Sequence, residues 1–298
     1  MKAFIRASAQ RFSAVVLLAL GLQGCTALSA LNTLGGRDRV ASASASEIAY
    51  GDHPRQQLDI YRPVKAAGPA PVVLFIYGGN WSDGRRQDYA FAGSALASRG
   101  FVTVIADYRL VPEVQFPTFV EDGALALRWI QDNIAGHGGD PERIAIAGHS
   151  AGAYNAVMLG LDVRYLNAAG VNTHRIKAIA GLAGPYVFLR RDVAVTIKAF
   201  GAHPDPTETQ PVNFARADAP PAFLATGIRD TTVLPRHTRM LAARLRAKGV
   251  TVTDRYYADV SHVSILTSLT RLFRSQSTVL ADLTVFLNRH LGAAKAGG

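Results

Sequence analysis

The chain has 298 residues, of which 49% are hydrophobic, 8% aromatic and 18% charged, a composition that excludes a disordered chain and supplies enough apolar surface for a large core. The formal net charge is +10, but the cations (Arg85, Arg86, Arg190, Arg191, Arg244, Arg246 and Lys248 among them) are scattered and form no dense run interleaved with aromatics, which argues against a nucleic-acid partner. Cys25 is the only cysteine, so an internal disulfide is excluded.

The chain opens with Lys2, Arg6 and Arg11 and no acid, followed by an apolar run from Phe12 to Leu22. That run is short for a bilayer-spanning helix and fits the apolar core of a secretory signal. It ends at Leu22-Gln23-Gly24-Cys25, which resembles a bacterial lipobox, although Gln23 is a less usual residue at its position. The resemblance implies a lipoprotein-type signal over 1–24, lipid attachment at Cys25 and a protein anchored in the bacterial cell envelope. An ordinary cleaved signal with an incidental cysteine, giving a periplasmic or secreted protein, is the alternative. Residues 25–46, rich in Ala and Ser and including Ala41-Ser42-Ala43-Ser44-Ala45-Ser46, read as a flexible tether, and 47–298 as the folded domain.

Strand and helix signals then alternate. Glu47–Tyr50 and Gln57–Tyr61 read as two short strands joined at Gly51-Asp52-His53-Pro54. Pro71–Tyr77, Phe101–Ala106, Ile144–Ala147, Ile176–Ala180 and Ala222–Thr226 are continuous apolar runs, as expected of parallel strands covered on both faces. Val250–Tyr257 reads as the last strand. Amphipathic helical stretches lie between and after them, at Asp88–Arg99, Phe119–Ala135, Ala151–Leu161, Pro235–Lys248 and Ser277–Leu291. This order predicts an α/β fold, a doubly wound and mostly parallel sheet with its active site at the carboxyl ends of the strands. Gly184–Ala219, with Pro185, Pro204, Pro206, Pro211, Phe188, Ile197 and Phe200, interrupts the alternation as a short insertion, either a lid or pocket wall or a plain surface excursion.

The chemistry begins where the strand Ile144–Ala147 runs into Gly148-His149-Ser150-Ala151-Gly152 and then a helix. A G-x-S-x-G turn in that context presents a serine hydroxyl above the sheet, so Ser150 is the candidate nucleophile. A serine needs a base, and this fold supplies its partners in the order Ser, acid, His. Asp230, just past the strand Ala222–Thr226, is the candidate acid, with Asp259 as runner-up; Asp218 and Asp254 are poorly placed. His262, after the last strand, is the candidate base, and the other seven histidines do not fit both order and position. The oxyanion hole is expected from Tyr77-Gly78-Gly79-Asn80-Trp81, with the N–H groups of Gly78, Gly79 and Ala151 as donors. Trp81 is either a pocket or a core residue. Asp107-Tyr108-Arg109 is expected to be structural, an Asp at a strand end with an Arg able to pair with it.

These segments, with Gly51, Leu58-Asp59-Ile60-Tyr61-Arg62-Pro63, Phe116-Pro117 and Gly138-Gly139-Asp140-Pro141, resemble the hormone-sensitive-lipase-like and carboxylesterase branch of the α/β-hydrolases from about residue 50 to the C-terminus. The resemblance implies hydrolysis of short-chain or aryl carboxylic esters through an acyl-enzyme, without metal or organic cofactor. Family members often carry His-Gly-Gly-Gly where this chain has Tyr77 and Asn80, a change that leaves backbone donors in place. Arylformamidase-like or other amide acyl hydrolysis is a second reading, and a non-catalytic envelope binding protein on the same scaffold a third. Oligomeric state is not encoded in any of these motifs.

Overall fold

The computed structural model describes Ala30, Asn32 and residues 36–38, 41–64, 66, 68–187 and 193–292. The expected signal and Cys25 lie outside these residues, as do Phe188, Arg190 and Arg191. The apolar runs form the middle of one eight-stranded sheet. Its strands are β1 (Ala41–Ala49), β2 (Gln57–Pro63), β3 (Ala70–Ile76), β4 (Val102–Ala106), β5 (Gly139–His149), β6 (Ile176–Leu182), β7 (Ala222–Gly227) and β8 (Val252–Tyr257), in the order β1-β2-β4-β3-β5-β6-β7-β8. The β1–β2 and β2–β4 pairs are antiparallel and the remaining pairs parallel. All residues of β3, β4 and β7 are buried, which is why these strands show no polar alternation.

Helices follow the strands: α1 (Ala90–Ala97), α2 (Thr118–Asn133), α3 (Ala151–Leu161), α4 (Val163–Ala168), α5 (Ala194–Phe200), α6 (Arg236–Ala247), α7 (His262–Thr267) and α8 (Val279–Leu291). The chain passes from β3 outward to β4 through α1, then back across β3 to β5 through α2. Right-handed crossovers in opposite directions put α1 and α2 on opposite faces, so strand order reverses between β3 and β5. The crevice at their carboxyl ends is where such a sheet takes its ligand, and it holds both the Gly78-Gly79 loop and Ser150. This is the α/β-hydrolase arrangement that the alternation predicts.

Two expectations are corrected. Residues 41–46, read as part of a tether, belong to β1, which caps the edge of β2 with pairs such as Ala41↔Pro63 and Ala45↔Ile60. Alanine and serine carry little apolar signal, but backbone pairing does not need one. Contacts with the body start still earlier: Asp38 pairs with Arg274 at 2.7 Å, and the Asn32 amide donates to the Gln87 carbonyl and accepts from Phe91 N–H. The second correction concerns Asp107. Arg109 pairs with Asp122 on α2 at 2.7 Å, while Asp107 takes Arg86 at 2.6 Å.

Arg86 also reaches Asp59 at 2.8 Å, and all three side chains are almost fully buried. The cluster ties β2, β4 and the segment leading into α1 together. Its components are costly to bury alone, because removal of one partner strands a charge away from water. Arg86→Met would remove the only cation paired with Asp59 among the described residues and leave Asp107 only the longer contact with Arg55 (3.9 Å), and should lower the unfolding free energy in urea by about 3–5 kcal/mol. A loss below about 1 kcal/mol would show that the two carboxylates find other compensation.

Candidate active site

Ser150 sits at φ 55°, ψ −123°, a region that non-glycine residues rarely occupy, at the junction of β5 and α3. Crowding explains the glycines around it. A Cβ on Gly148 would lie 2.3 Å from the Gly152 carbonyl oxygen, and one on Gly152 would lie 2.1 Å from that of Ile76. The Ser150 N–H is anchored to the Leu182 carbonyl at the end of β6, 2.9 Å away. The hydroxyl therefore projects from a rigid corner above the sheet, beside the N-terminus of α3.

Ser150 Oγ lies 2.9 Å from His262 Nε2, and His262 Nδ1 lies 2.8 Å from Asp230 Oδ2. Asp230 is buried, and its other oxygen accepts the N–H groups of Thr232 (2.9 Å) and Val233 (2.8 Å). With Asp230 accepting from Nδ1–H, the Nε2 lone pair of a neutral His262 faces the serine. The two segments that carry Asp230 and His262 are stitched together by Ile228 N–H to Tyr257 O (2.9 Å) and Arg229 N–H to Val260 O (3.1 Å). Gly227 permits this approach: a Cβ there would stand 1.9 Å from the Val260 oxygen. Ser261 caps α7 through a reciprocal capping box with Ser264, which fixes the base at the first residue of that helix. The rejected carboxylates are engaged elsewhere, Asp259 with Arg229 (2.6 Å), Asp254 with Arg246 (2.5 Å) and Asp218 with Arg216 (2.8 Å).

Gly78 packs against Ser150 and His149, where an added Cβ would come within 3.0 Å of the Ser150 Cβ. Gly79, Asn80 and Trp81 follow with φ of 131°, 55° and 57°. Such consecutive left-handed residues turn backbone N–H groups to one side as an anion-binding concavity. Asn80 borders both cavities that meet at Ser150, so its N–H joins those of Gly78, Gly79 and Ala151 as a candidate donor. Its tolerance of left-handed backbone was the available sequence signal. Tyr77, in place of the His common in similar proteins, is fully buried and stacked between Tyr89 and Tyr108, with ring centroids 5.3 and 4.8 Å away. Its hydroxyl accepts from Arg55 Nη2 at 2.8 Å, and burial first, then Asp107, push its pKa up.

The BD-FAE family matches residues 58–245. The chain belongs to that family. Esterase LipC of Mycobacterium tuberculosis (strain ATCC 25618 / H37Rv) is 33% identical over 224 residues, covering 67% of this chain and 54% of that protein. Isoprenylcysteine alpha-carbonyl methylesterase ICME of Arabidopsis thaliana is 36% identical over 143 residues, covering 47% of this chain and 34% of the relative. The chain thus spans about half the length of the first of these relatives and about a third of the second. Among solved structures, a tributyrin-phosphonate-inhibited esterase B from Lactobacillus rhamnosis superposes with a TM-score of 0.78 at 20% identity, covering 94% of this chain and 96% of that one, a likeness of fold.

In this member of the family two cavities flank Ser150. The larger, about 520 Å³, is walled by Trp81, Val187, Val193, Val195, Val233 and Met240 and reaches Arg236 and His237. The smaller, about 210 Å³, lies between the Gly78-Gly79 loop and His262, Val263 and Leu266. Segment 184–219 supplies Pro185, Val187, Val193, Val195 and Thr196 to the larger cavity, so it acts as a pocket wall rather than a plain excursion. Trp81 is both core and pocket: it is buried, its Nε1–H donates to Asn155 Oδ1 at 3.0 Å, and one edge faces the cavity.

His149, the variable residue of the elbow, lies with its ring 5.0 Å from that of His262 and donates Nε2–H to the His262 carbonyl at 3.0 Å. Among the described residues its Nδ1 has no partner. Burial, then the neighbouring His262, push its pKa down to about 3; burial, then Arg236, push that of His237 down to about 4. Unfolded, both would titrate near the ordinary value of about 6.5. Between about 6.5 and these folded values the unfolded chain binds more protons, so stability is unaffected above that window and falls as pH drops through it. Urea midpoints measured at pH 7, 5.5 and 4.5 should therefore decline, and the decline should be shallower in His149→Gln, which keeps a donor for the His262 carbonyl. An unchanged slope in that variant would remove His149 from the acid response.

Proposed function

We propose that the protein is a serine carboxylic-ester hydrolase acting on short-chain or aryl esters through an acyl-enzyme. The observation that carries the reading is the continuous line Ser150 Oγ, His262, Asp230, with contacts of 2.9 and 2.8 Å, set on a strained elbow. The esterase names of its relatives support the same class. Ser150 attacks the ester carbonyl while His262 Nε2 takes its proton. Asp230 holds the imidazole orientation and stabilises the imidazolium that forms. Negative charge on the former carbonyl oxygen develops between the Ala151 N–H at the start of α3 and the Gly78-Gly79-Asn80 loop. Such donors act before the charge appears and need no reorganisation; losing one typically costs about 3 kcal/mol of transition-state stabilisation. His262 then protonates the departing alcohol, and water releases the acid by the same route.

We also propose that Cys25 carries lipid and holds the protein at a membrane of the cell envelope. Support comes from the Leu22-Gln23-Gly24-Cys25 pattern behind a basic and then apolar start. No helix of the described residues is long and apolar enough to cross a membrane. Asn32, bonded to the body, is seven residues beyond Cys25, a covalent reach of roughly 25 Å at most. A lipid there would keep the catalytic body close against the bilayer.

Turnover of 4-nitrophenyl esters should fall by roughly 10⁴-fold or more in Ser150→Ala, and by a comparable factor in His262→Ala. A fluorophosphonate should label wild type and not Ser150→Ala. Failure of the probe to label, with no Ser150-dependent turnover of any ester or amide, would sink the hydrolase reading. For the anchor, radiolabelled palmitate fed to a producing bacterium should enter the full chain and vanish in Cys25→Ala; label that persists would refute it.

A further inference from the structure

The two cavities differ in which catalytic group they contain. The smaller one includes His262; the larger one includes Ser150 and Ala151 and lacks His262 among its lining residues. If the site is the hydrolase described above, this decides which half of an ester lies where. His262 must reach the oxygen of the departing alcohol to protonate it, so the alcohol occupies the cavity of about 210 Å³. The acyl half takes the other side of the carbonyl carbon and enters the cavity of about 520 Å³.

The larger cavity is lined mainly by apolar side chains, with Asn80, Thr196 and Thr232 as uncharged polar members, and its one cation is Arg236, which with His237 opens α6. Arg236 is exposed and, among the described residues, has no carboxylate or other acceptor as partner; no described residue lining the cavity is acidic. His237 is 8% exposed, and its Nδ1 accepts the Val187 N–H at 3.2 Å. A neutral imidazole with Nδ1 accepting carries its hydrogen on Nε2. That N–H has no acceptor among the described residues. The cavity is therefore bordered by a guanidinium and an imidazole N–H, both of which donate, at the positive end of a twelve-residue helix.

We propose that the larger cavity is the acyl subsite and that it selects acyl groups ending in a carboxylate, bound by Arg236 and His237 and released from a small alcohol. The substrate class is then the half-ester of a dicarboxylic acid. Ser150 Oγ bonds to the acyl carbon, the bond from that carbon to the alcohol oxygen breaks, and the Ser150 proton passes through His262 to the alcohol. Water then adds to the acyl carbon, giving up one proton to Ser150 through His262. The products are the alcohol and a dicarboxylate, with one proton released to solution. The methylenes between the two carboxyl groups lie along Val193, Val195 and Met240.

The test compares monomethyl succinate, glutarate and adipate with methyl butanoate, pentanoate and hexanoate in a pH-stat, using the full chain. At one chain length or more the half-ester should exceed its neutral partner in kcat/KM by about tenfold, the size of one charge-assisted hydrogen bond. That ratio should fall about tenfold in Arg236→Gln, mainly through KM, fall further in Arg236→Glu, and shrink with added salt. Neutral esters preferred at every length would overturn the proposal, as would a ratio unmoved in both variants. So would a stronger preference for 3-acetoxypropanoate, which carries the anion on the alcohol half, over ethyl acetate. Turnover of 4-nitrophenyl butyrate separates the two readings. If it proceeds without any half-ester preference, only the acyl assignment fails; if it is absent and no methyl ester is hydrolysed, the hydrolase reading fails with it.

Discussion

The close approach of backbone to backbone under Ser150 is the constraint on which the site depends. A residue at φ 55°, ψ −123° stores on the order of 1–3 kcal/mol. It persists because the surroundings over-determine it. Gly152 touches the carbonyls of Ile76 and Tyr77 at the end of β3, Gly148 touches Gly152, and the Ser150 N–H is held by β6. Those contacts bind the elbow to β3, and the loop that leaves β3 is the one that faces the serine. The candidate nucleophile and the candidate oxyanion donors are thus positioned by one crowded crossing at the point where strand order reverses.

The loop after β3 is braced from behind by buried charge. Asp107 takes the Arg86 guanidinium, accepts the Arg86 N–H at 2.7 Å, and accepts the Tyr50 hydroxyl at its own carbonyl. Arg55 donates to the carbonyls of Tyr108 and Gly84 and to the Tyr77 hydroxyl. Gly84, at φ 104°, closes over the Tyr77 ring, where any Cβ would lie 2.8 Å from it. Tyr77 therefore works as a stacked, hydrogen-bonded plate under the glycine loop. The substitution relative to similar proteins changes what lies behind the donors and leaves the donors themselves alone.

The sheet was legible in the sequence because its central strands are buried on both faces, and two-sided burial writes unbroken apolar runs such as Val72–Ile76 and Ile144–Ala147. The placement of Ser150, Asp230 and His262 was legible because chain order and strand ends constrain it tightly. What escaped lies in tertiary contacts that leave little local trace. The first six residues of β1 are alanine and serine, so their pairing with β2 carries no hydrophobic pattern. Arg86 and Asp107 are 21 positions apart, and nothing near either one distinguishes Arg86 from Arg109 as the partner. Helix α7 is six residues long and begins on His262 itself, too short for a helical period to show in the sequence. Arg236 and His237 look like an ordinary helix start until Val187 and α5 are brought to the same cavity, with His237 buried and Arg236 exposed beside it.

The three imidazoles near the site illustrate how burial divides labour among identical side chains. His149 and His237 are enclosed, each spends one ring nitrogen on a backbone group, and neither faces a carboxylate at contact distance. Desolvation then makes the neutral ring the stable form in both. Of the three, His262 alone has a carboxylate at contact distance, Asp230 at 2.8 Å, so it alone has an anion ready for the positive charge that the proposed proton transfer from Ser150 would create. A charged His149 with its ring 5.0 Å away would oppose that step. Keeping it neutral by burial removes the repulsion without needing a further acid in the site. The same enclosure that makes the neighbouring histidines sensitive to acid therefore leaves His262 as the one ring of the three arranged to become a cation.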